Sequence, residues 1–242
     1  MRSAFCEVLG TFFLVFIGGA AMINDGFLGA GFGLIGVALA HGMALAVAVT
    51  ATLHLSGGQI NPVVSIGLAI ARKQTWRKAG VFSVSQMAGA AIAGLLLFIA
   101  FPYPGIAGGQ AMAPVEELAM QAEPLAAATP RLREGLSVVH GVVIEIIATY
   151  ILVAAIWGTA VAGAVPRGVV GFCIGLTVTF LILAVGPQTG AGMNPARHFG
   201  TAVFGGGEVL AQTWIYWVGP LIGSILAFVS MPHIIPVTDE QA

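Results

Sequence analysis

Ser56-Gly-Gly-Gln-Ile-Asn61-Pro62-Val63 returns in the second half of the chain as Thr189-Gly-Ala-Gly-Met-Asn194-Pro195-Ala196. Each copy is a glycine-bearing turn and an Asn-Pro pair leading into a short apolar piece, 61–71 in one case and 194–204 in the other. Asn is a favoured helix N-cap, and Pro at the first helical position lacks only an N–H that has no intrahelical partner there. Both pieces are therefore expected to be helices starting at Asn61 and Asn194. A bilayer-spanning helix needs about 20 apolar residues, so neither piece crosses alone. Irregular backbone at membrane depth is tolerated where it is buried in protein or lines a wet cavity. Two such pieces point to a water-filled path.

Composition places these pieces in a membrane. Of 242 residues only nine are basic and ten acidic, 8% in all, where a soluble domain carries about 25%. Hydrophobic residues make up 58%, and the net charge is -1. A soluble globular domain and a nucleic-acid partner are excluded, since the latter needs a basic face. Residues 26–71, 79–115, 168–196 and 209–238 hold no Asp, Glu, Lys or Arg. Single glutamates, Glu7 and Glu145, interrupt two further apolar runs. Six spans are expected, at about 4–24, 32–53, 79–101, 138–159, 168–187 and 210–231. The stretch 102–136 carries no readable motif.

The repeat extends beyond the Asn-Pro elements. Glu7-Val-Leu-Gly-Thr11 opens the first span and Glu145-Ile-Ile-Ala-Thr149 the fourth; Gly89-Ala90 in the third matches Gly219-Pro220 in the sixth. Three spans per half is an odd number, so the second half enters the membrane upside down, and such repeats place a polar site near the midplane. The expectation is one channel domain over 1–242, with inverted halves of about 1–110 and 136–242. An even span count puts both termini on one side. Arg2, Arg72, Lys73, Arg77, Lys78 and Arg167 against Arg131 and Arg133 make that side the cytoplasm of a multi-pass protein in the cell membrane, plasma or inner.

Helices entering from opposite faces bring their N-termini together, each with about half a positive charge. Asn61 and Asn194 can each turn an amide N–H towards the path. A water accepting both bonds has its own protons turned apart, which interrupts a proton wire, and the field repels cations. The path suits a neutral, hydrogen-bonding solute. Arg197, in the first turn after Asn194, is an embedded charge and so a candidate pore group. Glu7 and Glu145 are expected to accept hydrogen bonds from the backbone of the half-helix loops and fix their shape. The chain has no paired carboxylates, no Ser-His or Ser-Lys spacing and no metal-binding His group, so no enzyme, cofactor or metal is expected. Cys6 and Cys173, both in apolar runs, suggest no disulfide framework.

Over almost its full length the chain resembles the aquaporin (major intrinsic protein) family. Glu7 to Val15, the two Asn-Pro elements, Arg197 and Trp217-Val-Gly-Pro220 stand where that family has its signatures. The resemblance implies six helices plus two re-entrant half-helices, a homotetramer, and one pore per subunit for water and small neutral solutes. It also implies an outer filter of four positions, which fall here on His41, Ile182, Ala191 and Arg197. That set departs from the Phe, His, small, Arg of strict water channels and from the Trp, Gly, Phe, Arg of glycerol facilitators. It is similar to sets of plant vacuolar-membrane aquaporins, which pass water and often ammonia, urea or peroxide. The rival reading is a channel chiefly for ammonia, glycerol, urea or neutral metalloid acids. His198 stands where glycerol facilitators have Asp and most water channels Ser; Ala202 and Tyr216-Trp217 lean to the water-channel side. Gln59 replaces a frequent His. Val63 replaces Ala in the first motif, a β-branched side chain that is a candidate to narrow or reshape the central constriction.

Overall fold

The computed structural model describes residues 1–26, 28–101 and 114–237. Its helices in chain order are α1 (Arg2–Gly26), α2 (Gly33–Thr52), α3 (Pro62–Ile70), α4 (Trp76–Ala100), α5 (Pro114–Ala128), α6 (Val138–Ile156), α7 (Arg167–Thr189), α8 (Pro195–Ala202), α9 (Gly207–Leu210) and α10 (Ile215–Ile234). A π-helical turn, Trp157–Val161, prolongs α6. Among the described residues, six helical stretches are long and apolar enough to cross a membrane: α1, α2, α4, Val138–Val161, α7 and Gly207–Ile234. The six expected spans are present. The last differs in detail: its regular part starts at Ile215 and continues through Pro232 to Ile234. The boundary between the two expected halves falls partly on residues 102–113, outside the described residues.

The two half-helices start as the sequence dictates. Asn61 caps α3, its Oδ1 accepting from the Val63 N–H at 3.1 Å. Asn194 caps α8, its Oδ1 accepting from Ala196 at 3.0 Å and Arg197 at 3.3 Å. Each places Pro in the first turn.

In lipid no water-exclusion force drives helices together, so packing rests on close contact through small residues. α2 packs on α7, α1 on α4, and α6 on α10. Each crossing is built on glycine: a Cβ at Gly175 would meet the Gly42 carbonyl, one at Gly89 the Val8 carbonyl, and one at Gly223 the Ile146 carbonyl. The same device draws α8 inward, because a Cβ at Gly94 of α4 would meet the Gly200 carbonyl. Large apolar side chains such as Ile35, Val84, Ile99, Val139, Phe172 and Val229 are exposed on the outside, as lipid-facing residues must be.

Part of the stretch 102–136, in which no motif is readable, is helical: α5 covers Pro114–Ala128. The helix carries an internal Pro124. Its last turns nevertheless bury Leu125 and Ala128 against Ile23 and Leu97.

Candidate functional site

The two loops that precede the half-helices share one unusual backbone. Gly57, Gly58 and Ile60 have φ of 95°, 56° and 54°, and Gly190, Ala191 and Met193 have 74°, 46° and 50°. Positive φ at a β-branched residue such as Ile60 is a strained conformation that the surroundings must impose. Two buried carboxylates impose it. Glu7 accepts from the Gln59 N–H at 3.1 Å, the Ile60 N–H at 2.7 Å and Gln86 Nε2 at 2.7 Å. Glu145 accepts from the Gly192 N–H at 2.9 Å, the Met193 N–H at 2.7 Å and the Thr189 hydroxyl at 2.7 Å. Both acids are fully buried, and each accepts from two backbone N–H groups of a half-helix loop and from one side chain. Ser56 and Thr189 close matching turns by accepting from the Gly58 and Ala191 N–H groups at 3.1 and 3.2 Å.

The imposed turns point the Ile60 and Met193 carbonyls across the molecule. Asn61 Nδ2 donates to the Met193 carbonyl at 2.9 Å, and Asn194 Nδ2 donates to the Ile60 carbonyl at 2.8 Å. Each cap residue thus clasps the opposite loop, which fixes the two helix N-termini beside each other. Each amide has two N–H groups, so the clasp uses one and leaves one.

Both Asn side chains line a cavity of about 530 Å³. The same cavity touches His41, Ile182, Ala191 and Arg197, so the structure brings together all four positions picked out by counting from the motifs. Pro62, Val63, Pro195 and Ala196 are buried in protein and do not line it. Val63, the candidate to narrow or reshape the constriction, does not line the cavity: its neighbour Val64 reaches it, while the Val63 carbonyl accepts from the Ser224 hydroxyl at 2.7 Å. One residue along a helix turns a side chain by about 100°, which is enough to exchange lining for packing.

Arg197 is 5% exposed and is held by neutral acceptors. Nη1 donates to the Ala128 carbonyl at 3.1 Å; Nη2 donates to His41 Nε2 at 2.9 Å and approaches Met22 Sδ at 3.0 Å. Ala128 ends α5, so its carbonyl is one of the unpaired groups at the negative end of that helix. His41 Nδ1 lies 2.8 Å from the Val37 carbonyl and donates to it. With Nε2 accepting from the guanidinium, the imidazole is the neutral Nδ1–H tautomer.

Towards the other end, Gln59 and Gln74 form a reciprocal amide pair. Gln59 Nε2 donates to Gln74 Oε1 at 2.8 Å, and Gln74 Nε2 donates back to Gln59 Oε1 at 3.2 Å and to the Ser65 carbonyl at 2.7 Å. Both line the cavity, together with Lys73, Lys78 and Arg167. Sequence reasoning missed Met22, Gln74, Gln86 and the Ala128 carbonyl. Gln86 had a signal, since it is a polar residue in a charge-free apolar run.

Residues 1–230 match the family model for "Major intrinsic protein". The chain is 39% identical over 237 residues to Aquaporin TIP4-4 of Zea mays, covering 94% of this chain and 84% of the relative. It is 34% identical over 221 residues to Aquaporin Z of Rhodopseudomonas palustris, covering 91% and 88%. An aquaglyceroporin structure from Plasmodium falciparum superposes with a TM-score of 0.82 at 24% identity, covering 97% of this chain and 96% of that one, a likeness of fold. With its six membrane-length helices, its paired half-helices and its family match over nearly the whole length, this chain is a multi-pass membrane channel of the major intrinsic protein (aquaporin) family.

Proposed function

We propose that the cavity is a passive path for water and small neutral solutes, closed to protons and ions. The observation that carries this reading is the reciprocal Asn clasp: two N-capped half-helices meet beside one cavity, each with an amide N–H left over. A water in that place accepts from both amides and turns its protons apart. Arg197 and His41 form a polar rim, and Ile182 and Ala191 supply an apolar wall. Glu7 and Glu145 act structurally, holding the loops that aim Asn61 and Asn194. The aquaporin names of the relatives support water as the solute.

The whole chain serves as one channel domain, with inverted halves of about 1–110 and 136–242. It works as a homotetramer with one path per subunit and has both termini on the cytoplasmic side of the cell membrane. The second reading, a channel chiefly for ammonia, glycerol, urea or neutral metalloid acids, is favoured by the apolar wall at Ile182 and the small Ala191. Swelling and shrinking of proteoliposomes against a panel of these solutes separates the two. Water permeability well above that of empty vesicles is the expected result. Permeability equal to empty vesicles would falsify the main reading, and a preference for another solute over water would select the second.

A further inference from the structure

His198 follows Arg197 in α8, and it does not line the cavity. It is fully buried, and neither ring nitrogen has a hydrogen-bond partner among the described residues. The ring instead stacks on Tyr216 of α10, with centroids 4.2 Å apart and an interplanar angle of 18°. Tyr216 is itself fully buried and reaches the loop before α8 in two ways. Its hydroxyl donates to the Thr189 carbonyl at 2.6 Å. Its ring also presses on Gly192 so closely that a Cβ there would lie 2.8 Å from Tyr216 Cε1.

The loop so gripped, 189–193, carries Ala191 on the cavity wall and is held from its other polar groups by Glu145. The helix that carries His198 also carries Arg197. His198 therefore links α8, which carries Arg197, to the loop that carries Ala191: α8 to Tyr216 by stacking, and Tyr216 to the loop by a hydrogen bond and close contact. A flat ring in van der Waals contact resists displacement across its face, because interiors are packed without slack. We infer that His198 is a positioning residue that sets the width of the constriction between Ala191 and Arg197 through Tyr216, and that it acts through its ring face and not through its nitrogens. This inference rests on the proposed path, since it concerns which solutes pass.

The test compares wild type, His198→Ala and His198→Phe in proteoliposomes by the ratio of urea to water permeability. It also compares amide hydrogen exchange over 189–196 in the same proteins. His198→Ala is expected to raise the urea-to-water ratio and to speed exchange at Gly192 and Met193 by up to about ten-fold, the most that losing one stacked aromatic pair accounts for. His198→Phe keeps the flat face and is expected to match wild type in both. Should the Ala variant fail to accumulate, His198→Leu supplies bulk without a flat face and takes its place. An unchanged ratio or unchanged exchange in the Ala or Leu variant overturns the inference. So does a Phe variant that behaves like Ala, which would assign the role to the nitrogens. Wild-type vesicles that fail to conduct water would overturn the pore reading, and the exchange comparison would still judge the brace.

Discussion

Arg197 is a buried cation with no carboxylate against its guanidinium among the described residues. Its contacts are a helix-terminal carbonyl, a thioether and a neutral imidazole. A guanidinium has five donors, so the remaining ones stay available to whatever fills the cavity, and the charge itself stays uncancelled. Removing the side chain therefore takes away bulk, donors and charge at one point. Arg197→Ala is expected to raise urea and glycerol permeability relative to water, as read by vesicle swelling. A variant with wild-type selectivity would place Arg197 outside the path. The arginine was legible in the sequence because a lone charge beside an Asn-Pro element in an apolar run is costly unless used. Its partners were not legible. A backbone carbonyl such as that of Ala128 leaves no trace in residue types, and Met22 looks like any other apolar residue of α1. Val63 shows the converse error: the motif marked the position, but only helix geometry decides that Val64 faces the cavity.

At the scale of elements, the spans were readable because hydrocarbon demands long uncharged runs, and the half-helices because Asn-Pro dictates where a helix begins. α5 was not, because a helix with an internal Pro124 and acidic residues among its apolar ones does not read as a span, and its last turns are held by what they pack on. The π-helical turn at Trp157–Val161 likewise has no local signature. Its first residue, Trp157, is anchored from outside the helix, its Nε1 donating to the Ile235 carbonyl at 2.8 Å. What locks the elements together is glycine at crossings, and this gives a sharp contrast within one helix. In α4 a Cβ at Gly94 would strike the Gly200 backbone of α8, whereas one at Gly80 meets nothing within 4 Å. Backbone cannot step aside as a side chain can. Gly94→Ala is expected to destabilise the fold by about 1–3 kcal/mol, and Gly80→Ala to be neutral or stabilising by up to ~1 kcal/mol. Thermal unfolding in detergent measures both. Equal melting of Gly94→Ala and wild type would mean that α8 is not clamped there.

Across the whole molecule the sparse charges are sorted by position. Of the described residues that line the cavity, four are cationic: Arg197 on the α8 side of the Asn pair, Lys73 and Lys78 beyond the end of α3, and Arg167 at the start of α7. Among the described residues that line it, none is Asp or Glu. The buried acids Glu7 and Glu145 stand behind the loops, their oxygens occupied by N–H and O–H donors. A cation entering from either end therefore meets positive charge at the mouth, then the positive ends of α3 and α8. Among the described lining residues it finds no carboxylate to replace its hydration shell. Low-dielectric walls strengthen each of these repulsions relative to water. Water carries no net charge and loses nothing to this field, and it can accept from Asn61, Asn194 and Arg197 in turn. Protein reconstituted in a planar bilayer with potassium chloride is therefore expected to give no conductance above the protein-free membrane, even at densities that make vesicles swell rapidly. An ohmic current selective for potassium would show that the cationic lining does not govern the path, and would return the family's ion exclusion to an open question for this chain.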